Sequence, residues 1–212
     1  ELTDRCMTMD ELCLEVGRDP ASLRRSYTMF DPKARASGGA ISDTYATGAV
    51  TTDMGFAGGF VGFNFGSIAL SYATGNVSST GPAFLGGFAA MNSGTINQAY
   101  AKGAVTGGPG SFLGGFVGLN VAADIGFIGD GDAMGGPAAA AAAGQQGAIS
   151  QSYALGPVTG NNAIVAGGFA ALNLGSLDQV YATGHVQGAG ATLGGLVGAY
   201  NLAAILPDIG GL

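Results

Sequence analysis

The apolar positions of this chain recur in blocks. From Gly58 to Val77 the sequence reads G-G-F-V-G-F-N-F-G-S-I-A-L-S-Y-A-T-G-N-V, and from Gly86 to Val105 it reads G-G-F-A-A-M-N-S-G-T-I-N-Q-A-Y-A-K-G-A-V. Each block offers two apolar stretches. The first centres on Gly-Gly-Phe-Val-Gly, and the second runs from Ile68 to Val77 and its equivalents. Asn-x-Gly joins them, with Asn and Gly suited to a positive φ. A variable segment such as Ser78-Ser79-Thr80-Gly81-Pro82 leads to the next block and has the composition of a solvent-facing turn. The pattern predicts two strands per unit.

The units keep one period. Tyr45, Tyr72, Tyr100, Tyr153 and Tyr181 are spaced 27, 28, 53 and 28 residues apart. The pairs opening at Gly58, Gly86, Gly114, Gly167 and Gly194 give 28, 28, 53 and 27, and Asn64, Asn92, Asn120, Asn173 and Asn201 give 28, 28, 53 and 28. Five copies of a motif of about 28 residues are therefore present. The long spacing places an insertion at 121–146, between the third and fourth copies.

A unit with two short strands cannot bury its own apolar face, and stacking the copies solves that. The expected fold is all-β: a β-solenoid of about five stacked 28-residue coils, neighbouring coils pairing at about 4.8 Å, with a short helical N-terminal segment. Equivalent side chains then form ladders. Phe60, Phe88, Phe116 and Phe169, continued by Leu196, make an inward aromatic ladder. Ile41, Ile68, Ile96 and Ile149, continued by Leu177, make an aliphatic one. The tyrosines form a third, and the asparagines pair amide to amide. A propeller blade needs four strands, more than this unit supplies.

The flanks differ from the array. Residues 1–36 read as two short helices, the second opened by Asp19-Pro20 as N-cap and first helical position. They form either a cap over one end of the solenoid or the tail of a preceding domain, and the array occupies 37–212. The insertion carries Gly129-Asp130-Gly131-Asp132 and then six alanines, Ala138 to Ala143, that favour helix. After Asn201 the chain reads L-A-A-I-L-P-D-I-G, much as V-A-A-D-I-G follows Asn120. A longer array or a C-terminal cap would each explain that likeness.

Composition narrows the function. Glycine accounts for 41 of 212 residues without a G-X-Y period, which excludes collagen. Hydrophobic residues make up 47% and recur in register, which argues against disorder. No apolar run is long enough for a membrane span. Net charge is −7, and Lys102 is the one Lys or Arg beyond residue 36. Without a basic stripe, nucleic acid is not an expected partner.

Candidate chemistry is sparse. The single histidine, His185, rules out His-Glu-x-x-His and reads as a solvated turn residue. A Ser-His-acid site would pair it with an acid such as Asp178, but no nucleophile elbow is present. Asp130 and Asp132 are weak candidates for calcium, lacking both the closing Glu of an EF-hand and the nonapeptide period of calcium-binding β-rolls. Cys6 and Cys13 form either a short-loop disulfide in an exported protein or two thiols on one helix face. No cofactor and no catalysis are expected.

The repeated G-G-F-V-G-x-N and I-x-x-S-Y-A-T-G-x-V strings resemble the GLUG motif of large bacterial surface exoproteins of the filamentous haemagglutinin type. The motif also occurs beside some IgA-cleaving metallopeptidases. Its Gly-Leu-Val-Gly core stands here as Gly195-Leu196-Val197-Gly198, with Gly59-Phe60-Val61-Gly62 and Gly115-Phe116-Val117-Gly118 as variants. Gly87-Phe88-Ala89-Ala90 and Gly168-Phe169-Ala170-Ala171 depart from it. The resemblance covers roughly residues 38–201. It implies export and an extracellular or bacterial cell-surface setting, and it carries over no catalytic residue. The expected function is a structural or adhesive segment, a rigid scaffold contacting other surface proteins or glycans. Self-assembly into an extracellular filament or sheath is the alternative, and a polysaccharide-active β-helix enzyme is the least favoured.

Overall fold

The structure is a computed structural model that describes residues 39–121 and 147–200. These all belong to the second of the chain's two units, Asp31–Leu212. The helices expected within 1–36, Cys6 and Cys13, Asp130 and Asp132, the alanine run and Asn201 lie outside the described residues.

The array is a parallel β-solenoid of five coils. Coil 1 comprises β1 (Ala40–Ser42), β2 (Tyr45–Ala46), β3 (Val50–Thr52), β4 (Gly55–Gly58) and β5 (Val61–Asn64). Coil 2 comprises β6 (Ser67–Ala69), β7 (Tyr72–Ala73), β8 (Val77–Ser79), β9 (Ala83–Gly86) and β10 (Ala89–Asn92). Coil 3 comprises β11 (Thr95–Asn97), β12 (Tyr100–Ala101), β13 (Val105–Gly107), β14 (Phe112–Gly114) and β15 (Val117–Asn120). Coil 4 comprises β16 (Ala148–Ser150), β17 (Tyr153–Ala154), β18 (Val158–Asn161), β19 (Val165–Gly167) and β20 (Ala170–Asn173). Coil 5 comprises β21 (Ser176–Asp178), β22 (Tyr181–Ala182), β23 (Val186–Ala189), β24 (Thr192–Gly194) and β25 (Val197–Ala199). No helix occurs among the described residues.

Each coil thus carries five strands of two to four residues, where the apolar pattern predicted two. Equivalent strands pair into five parallel, in-register sheets, each with one strand from every coil. Ile41 pairs Ile68, Ile68 pairs Ile96, Ile96 pairs Ile149, and Ile149 pairs Leu177. The register passes from coil 3 to coil 4 without a slip, although 53 residues separate the pairs there.

The extra strands arise because each coil bends at corners that turn chemistry does not mark. Between the first and second strands the backbone is left-handed at Asp43, Leu70, Gln98, Gln151 and Gln179, with φ from 48 to 54°. The described Asn-x-Gly turns have no positive φ. Glycine is needed there for close approach. A Cβ on Gly66, Gly94 or Gly175 would fall on the carbonyl oxygen of Gly39, Gly66 or Gly147 in the preceding coil. The Gly-Gly pair likewise forms a corner, between the fourth and fifth strands. A Cβ on Gly86 would meet the Ala89 carbonyl three residues on, and one on Gly87 would meet the Gly115 carbonyl of the next coil.

Three apolar clusters fill the wall. The largest joins Ile68, Ile96 and Ile149 to Phe88, Phe116 and Phe169, whose side chains are fully buried. The phenylalanine rings stack at 4.6–4.8 Å with planes within 5°. A second cluster joins Val77, Val105 and Val158 to Leu85, Leu113 and Ala166. A third packs Phe112, Met91, Leu119 and Leu172 against Phe84. Burying a large apolar side chain is worth about 1.5–3 kcal/mol, so the in-register repetition that makes the ladders also supplies the core.

Candidate functional site

The asparagine column is internal. Asn64 Nδ2 donates to Asn92 Oδ1 at 2.7 Å, Asn92 Nδ2 to Asn120 Oδ1 at 2.8 Å, and Asn120 Nδ2 to Asn173 Oδ1 at 2.7 Å. Asn92 and Asn120 have no exposed surface. One amide chain therefore crosses four coils, each member donating to the next. Its role is to hold the wall, with further bonds from the described amides to the backbone.

The tyrosines lie on the outside. Tyr45, Tyr72, Tyr100, Tyr153 and Tyr181 stack at 4.8–5.0 Å with planes within 9°, the inner three half-buried and the end two exposed. Stacking covers the ring faces, so a partner meets the ring edges. Lys102 Nζ sits 5.0 Å from the Tyr100 ring centroid. An outward column on the third sheet, Thr51, Ser78, Thr106, Thr159 and Gln187, offers hydroxyls and one amide.

One aromatic group was not singled out by sequence reasoning. Phe56, Phe84 and Phe112 form a ladder, with ring centroids 5.0 and 4.5 Å apart. Phe63 lies 4.8 Å from Phe56, and Phe65 lies 6.3 Å from Phe63. With Met54 they give coil 1 a partly exposed apolar patch. The column continues as Val165 and Thr192. Its signal was Phe56, Phe84 and Phe112 at the common period.

Ionisable groups do not converge. Asp43, Asp53, Asp178, Lys102 and His185 are all exposed, and among the described residues no three His, Cys, Asp or Glu side chains gather to hold a metal. Asp43 and Asp178 stand in adjacent columns. His185 lies in a turn, its carbonyl accepting from Val158 N at 2.8 Å. No helix among the described residues is long and apolar enough to cross a membrane.

The insertion leaves the wall at a defined point. Val121, assigned to it on sequence grounds, belongs to the wall: it is buried, and its N–H donates to the Asn92 carbonyl at 2.9 Å. Gly147 N–H donates to the Val121 carbonyl at 2.8 Å. Asn120, Val121 and Gly147 thus occupy the places of Asn92, Ser93 and Gly94 one coil earlier. The excursion, residues 122–146, opens between the middle and last residues of an Asn-x-Gly turn.

Comparison with protein-family models, with curated proteins and with solved structures finds no match for this chain.

Proposed function

We propose that the array is a rigid, non-catalytic scaffold within the structural or adhesive part of a bacterial extracellular or cell-surface protein, with other surface proteins or glycans as its partners. The observation that carries this reading is the unbroken wall. Ladders and register run through all five coils, and the 122–146 excursion leaves and rejoins at one turn without disturbing them. A wall of this kind fixes Val121 and Gly147, the two points from which an inserted segment is held, as a display scaffold must. The nearly uncharged array supports spacing and contact more than chemistry, because its described carboxylates are exposed and have no basic partner beside them. The resemblance of the repeat to the GLUG motif supports the surface setting.

The test compares the full chain with a variant in which residues 122–146 are removed and Val121 is joined to Gly147. Retention of both proteins is measured on glycan arrays and on intact cell surfaces. Retention by the full chain and its loss in the variant is the expected result. Release of reducing ends from any polysaccharide on the array would overturn the non-catalytic reading, and failure of the full chain to be retained anywhere would overturn the adhesive one.

A further inference from the structure

The two ends of the array are built alike. Among the described residues every sheet has its edges at coil 1 and coil 5, so that β1–β5 and β21–β25 each pair there on one side only. Exposed edges in natural proteins usually carry Lys, Pro or inward charges that block pairing. These ten strands contain no Pro, Lys or Arg, and Asp178 is their one charged residue. Apolar side chains are open at both ends: Phe56 is 36% exposed in coil 1, and Leu193 and Leu196 are 43% and 40% exposed in coil 5.

Two glycines sharpen the picture. In one column a Cβ on Gly75, Gly103, Gly156 or Gly184 would fall on the carbonyl of the glycine one coil earlier. Gly48 heads that column, yet a Cβ there would meet nothing within 4 Å. In another column a Cβ on Gly59, Gly87, Gly115 or Gly168 would fall on the carbonyl of the glycine one coil later. Gly195 ends that column and again meets nothing within 4 Å. Among the described residues each terminal glycine has room for a Cβ, and that room is lost once another coil is laid on that end.

We infer that the array stacks end to end on a second copy of this chain, with coil 1 of one molecule laid on coil 5 of the next. The contact continues the coil–coil interface that the molecule already makes four times. Ile41 meets Leu177, Tyr45 meets Tyr181, Val50 meets Val186 and Phe60 meets Leu196. Gly48 then lies against the Gly184 carbonyl and Gly195 against the Gly59 carbonyl, as their columns require. No like charges oppose: Asp178 meets Ser42 and Asp43 meets Gln179. The two faces differ, so the contact is heterologous and does not close, and the product is a polar filament. Stacking of this kind is independent of what the outer wall contacts.

Negative-stain microscopy and sedimentation of the full chain over a concentration series test this. Unbranched filaments are expected, with a 4.8 Å axial spacing and a rise of about 24 Å per molecule, five coils at about 4.8 Å. Gly48→Ala and Gly195→Ala are expected to keep the wild-type circular dichroism and melting, and to raise the assembly threshold by about tenfold or more through overpacking. Thr51→Lys with Gln187→Lys places like charges across the junction and blocks assembly, whereas Thr51→Lys with Gln187→Glu restores it. A wild-type chain that stays monomeric at every concentration overturns the inference, as does assembly of Gly48→Ala or of the double lysine variant at the wild-type threshold.

Discussion

Replacing Asn92 by Leu removes the middle of the amide ladder while keeping a γ-branched side chain. Three hydrogen bonds go: the one accepted from Asn64 at 2.7 Å and those donated to Asn120 at 2.8 Å and to the Gly94 carbonyl at 3.2 Å. Each is worth about 1 kcal/mol net. Asn64 keeps its second acceptor, the Thr95 carbonyl at 3.3 Å. Asn120 Oδ1 is left buried without a donor, which costs about a further 1–3 kcal/mol. Added apolar contact from the leucine returns part of this, so the expected loss is about 3–5 kcal/mol. Urea unfolding followed by far-UV circular dichroism measures it, with the slope checked because repeat arrays can unfold in parts. A loss under about 1 kcal/mol would refute the view that the ladder holds the wall. Asn92→Asp adds a sign test. Its ionised carboxylate would face Asn120 Oδ1 and the Gly94 carbonyl, both acceptors, which raises the folded pKa above the unfolded value of about 3.9. Stability relative to wild type should then be greatest below about pH 3.9 and fall as pH rises through the folded pKa. A difference independent of pH would contradict this.

Three further outcomes are expected. Gly103→Ala, whose Cβ would fall on the Gly75 carbonyl, should lose about 2–3 kcal/mol, while Gly48→Ala in the same column stays within about 0.5 kcal/mol of wild type; equal losses in urea titrations would count against the clash. Joining Val121 to Gly147 restores an Asn-x-Gly turn and should change stability by less than about 1 kcal/mol in the same titrations; collapse of the β signal would show that the excursion is needed for folding. Leu70→Asn relieves a left-handed leucine at φ 51° and should raise stability by about 0.5–1 kcal/mol, so a fall in melting temperature would argue against strain at that corner.

The ladders were legible because parallel in-register pairing sets each residue on its own equivalent, and identical residues at one period are what such stacking requires. Phe88, Phe116 and Phe169 could be placed in one column from spacing alone. The five-strand coil was not legible. Its strands are too short for an alternating pattern, and the corners at Leu70, Gln98 and Gln151 carry none of the residues that usually mark a left-handed turn. Gly86-Gly87-Phe88 was read as a strand centre because its neighbours are apolar, yet backbone crowding makes it a corner. The Phe56–Phe84–Phe112 column was hidden by its decay to Val165 and Thr192. The outer surface could be read as nearly uncharged, but which columns faced outward depended on the corners.

Chain length is cheap in the turns of this molecule and dear in its strands. Inter-coil bonds span 28 residues between coils 2 and 3 and 53 between coils 3 and 4. The extra loop-closure entropy, (3/2)RT ln(53/28), is about 0.6 kcal/mol, and doubling the span again would add about the same. A residue added within a strand would instead shift it by one place and turn its buried side chains outward. The turn after Val121 is thus a place where the sequence can grow, shrink or accept a foreign segment with closely spaced ends, while the strands on either side keep their register.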